Sequence, residues 1–197
     1  MEYEASQLFT ANIGDRCFEA FFTFAHSAHP FILPRSYLLN LLKTCHLPHL
    51  EAAIRFIGSF YVHSAIPSVF AEEAKKLISE ATCPRDGFLV QANLLVAIGL
   101  DGSAELRQAL FFLNQAEHIA LEIGLNQEHF AAFNGQGSST LEESWRRTWW
   151  ELFVVEGMVA GVHQQSSFGL YDVASSVLLP CEEHEYISGV GDVCYCS

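Results

Sequence analysis

The 197-residue chain is expected to fold as an all-α protein, an irregular multi-helix bundle. Three observations lead there. Apolar residues recur at helical spacing in nearly every patterned segment. Pro and Gly fall between those segments, where helices must stop. No set of segments alternates convincingly with the two-residue period of strands. Half of the residues are apolar and 16 are Phe, enough for a sizeable core, while 17% charged residues are too few for a disordered chain. A mean hydropathy of +0.20 implies a large core or an apolar surface that meets something else. The length fits one domain or most of one.

The elements follow in order. Cys17 to Ala28 reads as a helix that stops before His29-Pro30, because proline pushes the preceding residue out of the α region. Ser36 to Thr44 reads as a short second helix. Leu50 to Ala65 carries a stripe of Leu50, Ala53, Ile54, Ile57, Phe60, Tyr61 and Ala65 between Pro48 and Pro67. Ser68 is expected to cap a fourth helix running to about Ala81, with Phe70, Ala74, Leu77 and Ala81 inward. Phe88 to Leu100 is apolar nearly all round and predicts a buried central helix, interrupted only by Gln91 and Asn93. Leu106, Ala109, Leu110, Leu113, Ala116, Ala120 and Ile123 form the clearest stripe, with Gly124 placed as a C-cap glycine.

Asn126 to Ser138 is expected to be a loop, with Asn134-Gly135 and Gly137 as turn signals. Ser139 and Glu142 fit a capping box that opens a helix to about Ala160. Its stripe is Leu141, Trp145, Trp149, Leu152, Val155 and Val159. Glu142–Arg146, Glu143–Arg147 and Arg147–Glu151 are candidate pairs one turn apart. Beyond Leu170 the pattern fails. Cys181 to Tyr186 is acidic and polar, and Ile187 to Ser197 is irregular.

Charge limits the function. The net charge is −13, from 10 basic and 23 acidic residues, and the densest basic groups are the pairs Lys75-Lys76 and Arg146-Arg147. Gripping nucleic acid needs clustered Lys and Arg to displace counterions, so direct DNA or RNA binding is not expected. Attraction to an anionic membrane surface is not expected either. Phe88 to Leu100 is too short to span a bilayer, and Met1 to Thr10 carries Glu2 and Glu4 with no apolar stretch of a signal peptide. The six cysteines are therefore expected as free thiols in a reducing compartment.

Leu141-Glu-Glu-Ser-Trp-Arg-Arg-Thr-Trp-Trp-Glu-Leu-Phe, followed by Leu178-Leu179-Pro180, resembles the signature of the fungal-specific transcription factor domain, the middle homology region of zinc-cluster regulators. Three further blocks agree in order: Phe18 to Pro30, Pro48 to Tyr61 and Ala116 to Asn126. The resemblance covers roughly residues 17 to 187, leaving 1–16 as an N-terminal extension and 188–197 as an irregular tail. It implies a nuclear, non-enzymatic regulatory domain that modulates a DNA-binding region, sometimes in response to a small effector. Expected partners are proteins: a full-length zinc-cluster regulator or the transcription machinery. The six-cysteine zinc cluster of such regulators is absent here, since Cys17, Cys45 and Cys83 are far apart and no Cys-x-x-Cys occurs. The chain therefore looks like a middle piece of a regulator, with a truncated C-terminal region.

The resemblance makes Glu142, Arg146, Arg147, Trp149, Trp150, Glu156 and Pro180 a structural signature, with no catalytic, cofactor or metal role. Arg146 and Arg147 are expected in ion pairs on the helix surface, one of them turning inward to clasp Glu156, which the resemblance identifies as the family's acidic residue. Trp145 and Trp149 read as core; Trp150, off the stripe, faces a neighbouring helix or a ligand. His26-x-x-His29 and His46-x-x-His49 are poor metal pairs, because Pro30 and Pro48 break the helices that would align them. Cys181, His184, Cys194 and Cys196 make a weak zinc set, and Gly135-Gln-Gly-Ser-Ser a connector without the lysine of a phosphate loop. Glu182, Glu183 and Glu185 read as a solvated acidic patch. The alternatives are an α-helical adaptor of tetratricopeptide type, though no 34-residue period appears, and an all-α ligand-binding protein or enzyme, for which no catalytic constellation appears.

Overall fold

The computed structural model describes residues 13–188, and among these it is all-α, with no strand. The first helix, α1, covers residues 13–20 and widens into a π-helical turn at Phe21–Ala25, where the His26 amide donates to the Phe21 carbonyl at 2.9 Å. The following helices are α2 (Arg35–Leu41), α3 (Pro48–Ser59), α4 (Pro67–Ile78), α5 (Gly87–Gly102), α6 (Leu106–Glu122), α7 (Glu128–Asn134), α8 (Ser139–Val162) and α9 (Glu183–Ser188).

Helix α5 is the axis of the bundle. It is buried on every side from Phe88 to Ala97, which is why its sequence shows no polar face. Asp86 caps it by accepting from the Leu89 amide at 3.0 Å. Helices α3, α4, α6 and α8 pack around it. A single large cluster runs from Phe18 to Val177 and takes in Trp145 and Trp149. The large core accounts for the high hydropathy, while Phe133, Val162 and Leu179 stay 80%, 70% and 75% exposed.

Two glycines have clear physical reasons. A Cβ on Gly58 would collide with the Cys17 carbonyl, so its absence lets α3 lie directly on α1. Gly124 has φ +76°, and behind it the Leu125 amide reaches back to the Ala120 carbonyl at 2.8 Å, the C-cap expected at the end of α6.

Several boundaries differ from expectation. α3 starts at Pro48, whose missing N–H costs nothing in a first turn, and ends at Ser59, leaving Phe60 and Tyr61 exposed. Pro67 opens α4 in the same way, so Ser68 is inside the helix rather than its cap, and Ala81 lies exposed beyond the end. α7 lies within the expected loop 126–138. Its Phe130 and Ala131 are buried, and its first amide, on Glu128, donates to Ser176 Oγ at 2.9 Å. The cap therefore comes from 48 residues away, where no local pattern announces it. The turn signals after α7 hold, with φ +75° at Gly137 and +52° at Gln136.

Candidate functional site

The signature residues lie along α8 and on the extended strap that follows it, residues 170–182. α8 begins one residue earlier than the capping box implies. Ser138 has the extended backbone of a cap and accepts from the Leu141 amide at 3.3 Å. Ser139 is already helical, so Glu142 is displaced from the capping position and lies half-buried against Gly135. Leu141, Trp145, Trp149, Leu152, Val155 and Val159 are all buried. Trp145 also donates through Nε1 to the Asn134 carbonyl at 3.1 Å, fastening α7 to α8.

The acidic anchor of the arginines is Glu143. Its Oε2 accepts from Arg146 Nε at 2.8 Å, and its Oε1 accepts from Arg147 Nε at 2.9 Å and from the Cys181 amide at 2.8 Å. Arg147 Nη2 donates to the Cys181 carbonyl at 2.7 Å, and the guanidinium lies 4.4 Å over the Tyr186 ring. The Tyr186 hydroxyl donates to the Ile32 carbonyl at 3.1 Å. Glu143 and Arg147 thus form a buried clasp joining α8, the strap, α9 and the loop after α1. The charged atoms are satisfied on several sides, as a buried pair requires.

The expected Glu143–Arg147 pair forms, and Arg147 is the arginine that turns inward, whereas Arg146 pairs with Glu143 rather than Glu142. Arg147 does not reach Glu156. Nine residues are about two and a half turns of helix, which puts Glu156 on the opposite side and about 13 Å along the axis. Glu151, also expected to pair with Arg147, is held instead by His29 Nδ1 at 2.6 Å.

Glu156 accepts from the Leu170 amide at 3.0 Å through Oε2, while its buried Oε1 has no partner. Burial, with the nearby Glu117 adding to it, pushes its carboxyl up to about 7 against the pull of the Leu170 amide. The folded state therefore holds this proton more tightly than the unfolded chain, whose carboxyls titrate near about 4.3. The associated stability is complete below that value and is lost as pH rises through about 7. Glu156→Gln keeps the shape and cannot ionise. Its stability advantage over the parent, read from urea midpoints, is expected to grow from pH 5 to pH 8. Parallel pH profiles would refute this account of Glu156.

Trp150 turns toward the strap, donating through Nε1 to the Leu178 carbonyl at 2.9 Å. Pro180 is exposed and leads the strap into Cys181. Sequence reasoning missed Gln91 and Tyr186. Gln91, the interruption in the apolar run of α5, is buried, with its Nε2 within hydrogen-bond distance of the Phe31 carbonyl at 3.2 Å and of the hydroxyls of Ser144 and Thr148. Tyr186 sits in the segment read as solvated, yet is 2% exposed. A polar residue inside an apolar helix and an aromatic in an acidic run were the available signals.

The His26-x-x-His29 pair does not come together. His26 bonds the Ile32 carbonyl while His29 bonds Glu151, so the two rings serve separate partners. Among the described residues no group of three or more His, Cys, Asp or Glu is placed to hold a metal. Cys194 and Cys196 lie outside the described residues, as do 1–12 and 189–197 of the expected extension and tail. No helix among the described residues is long and apolar enough to cross a membrane.

Residues 18–192 match the fungal specific transcription factor domain. The chain is 49% identical over 178 residues to the C6 finger domain transcription factor iacK of Pestalotiopsis fici, an alignment covering 90% of this chain and 27% of that protein. It therefore spans about a quarter of the length of the curated relative it matches. No solved structure matches it. With the signature helix buried as the fold's fastening element and the match running over most of its length, the chain belongs to the fungal specific transcription factor domain family.

Proposed function

We propose that this chain is a modulatory domain that acts in the nucleus through protein contacts, without enzymatic activity and without binding DNA itself. The observation that carries this reading is the commitment of the signature arginines. Both donate to Glu143 inside the fold, so the densest basic pair on α8 is used internally and offers no phosphate-binding surface. A net charge of −13 opposes any diffuse attraction to DNA. No zinc cluster occurs within these 197 residues to place a reading element in a groove. The unit that carries the role runs from 17 to 187, with 1–16 an extension and 188–197 a tail.

The test has two arms. In a mobility-shift titration at low salt, where non-specific attraction is strongest, the chain is expected to leave duplex DNA unshifted at micromolar concentration. Fused to an unrelated zinc-cluster DNA-binding region in a fungal reporter strain, it is expected to change reporter output. Binding to duplex DNA, or a fusion indistinguishable from the bare DNA-binding region, would defeat the proposal.

A further inference from the structure

Nearly all the basic side chains are spoken for. Of the 10 Lys and Arg residues, eight bond to a side-chain or backbone partner. Lys76 and Arg107 have no such partner among the described residues. They are 31 positions apart in sequence, yet line the same open cleft between α4 and α6, of about 560 Å³. Both helices pack on α5, and this brings the two cations to one place.

The cleft has more than charge. Phe112 is buried beneath it, and Phe111, edge-on to Phe112 at 5.2 Å, stands 57% exposed. Lys75 bridges the two walls, donating to Gln108 Oε1 on α6 at 2.9 Å while paired with Glu72 on its own helix. Glu72 is the one acidic side chain in the lining. The cleft is therefore a cationic and aromatic patch on a chain that is otherwise strongly anionic.

Local electrostatics account for only part of it. Lys76 sits in the last turn of α4, where a cation favours the helix dipole. Arg107 is in the first turn of α6, where a cation opposes the dipole; the acid at the N-cap, Glu105, accepts from Gln108 Nε2 and does not pair with Arg107. An unfavourable local choice with no partner inside the fold is the kind of departure expected where a residue serves an outside ligand.

We infer that the α4–α6 cleft is a docking site for an acidic peptide segment of a partner protein, one carrying an aromatic or large aliphatic side chain among its carboxylates. The carboxylates face Lys76 and Arg107, and the apolar side chain packs on Phe111. The cleft is shallow and open, which suits a segment laid along it better than a small molecule needing to be mostly enclosed. Nucleic acid is a poorer occupant, since two free cations beside Glu72 on a chain of charge −13 cannot replace a phosphate backbone's counterions. The inference rests on the reading above only in taking the partner to be a protein.

The probe is a fluorescent peptide alternating aspartate with phenylalanine and leucine, titrated with the chain and followed by anisotropy. A second peptide has lysine in place of each aspartate. The parent is expected to bind the acidic peptide, more weakly as salt rises, and not the lysine peptide. The double variant K76E/R107E is expected to weaken binding by about tenfold or more, since each reversal replaces an attraction with a repulsion. Phe111→Ala is expected to weaken it without changing its salt dependence, while K43E, a charge reversal at exposed Lys43, leaves it unchanged. All four positions are on the surface, so an unchanged circular dichroism spectrum shows the fold intact. Equal affinity of the parent for both peptides, undiminished binding by K76E/R107E, or displacement of the peptide by duplex DNA would overturn the inference. These readouts do not involve transcription, so their failure is distinct from failure of the reporter test.

Discussion

Trp149→Ala is expected to destabilise the chain by about 3–5 kcal/mol, the usual cost of truncating a buried aromatic to Ala. Trp149 is 1% exposed and belongs to the main core cluster near the middle of α8. Its Nε1 has no hydrogen-bond partner, so its contribution is packing alone. Trp149→Phe should accordingly cost much less than Trp149→Ala, because it retains an aromatic body and sacrifices no bond. Urea midpoints of the three proteins measure this directly. If Trp149→Ala melts with the parent, the stripe of α8 is not the face that holds the bundle together.

Arg147→Ala should be comparably damaging, at about 3–5 kcal/mol, because removing one member of a buried pair strands the other. Glu143 would keep its bonds to Arg146 and the Cys181 amide but lose its buried partner, and the Cys181 carbonyl would lose its Arg147 donor. The clasp holds the strap at Cys181, whereas Trp150 holds it at Leu178 and Asn126 and Glu128 hold it at residues 174–176. Limited proteolysis of the variant should therefore cut first near Cys181. A double variant, Glu143→Gln with Arg147→Met, should cost less than the two single changes added together, since neither member of the buried pair is then left alone and the part-exposed Arg146 loses its partner equally in the single and double variants. Additive losses, or a parent-like digestion pattern for Arg147→Ala, would show that the clasp does not fasten the strap.

Much of this fold can be read from local pattern. The stripe of α8, the all-round apolar α5 and the Gly124 cap each depend on spacing within one helix, and spacing is visible in a sequence. The misses share a different cause. α7 lies in a stretch with loop composition because its first amide is satisfied by Ser176, and the cap of α8 moved by one residue because two adjacent serines are chemically equal candidates. The site was half legible. The signature marked α8 and the Leu-Pro strap, but the acidic composition around Tyr186 hid its burial, and the resemblance paired Glu156 with an arginine it does not meet.

From the residues alone came the helical class, the inward face of α8, the all-round burial of α5, the family resemblance and the scarcity of positive charge. These are sums or periodicities along one chain. Tertiary structure alone decided that the Glu143–Arg147 pair grips the strap at Cys181, that Glu156 keeps an unpartnered oxygen, and that Lys76 and Arg107 share a cleft. Each of those facts is a distance between atoms on separate turns or separate helices. Such distances are set by how the helices pack on α5, and no local pattern carries that information.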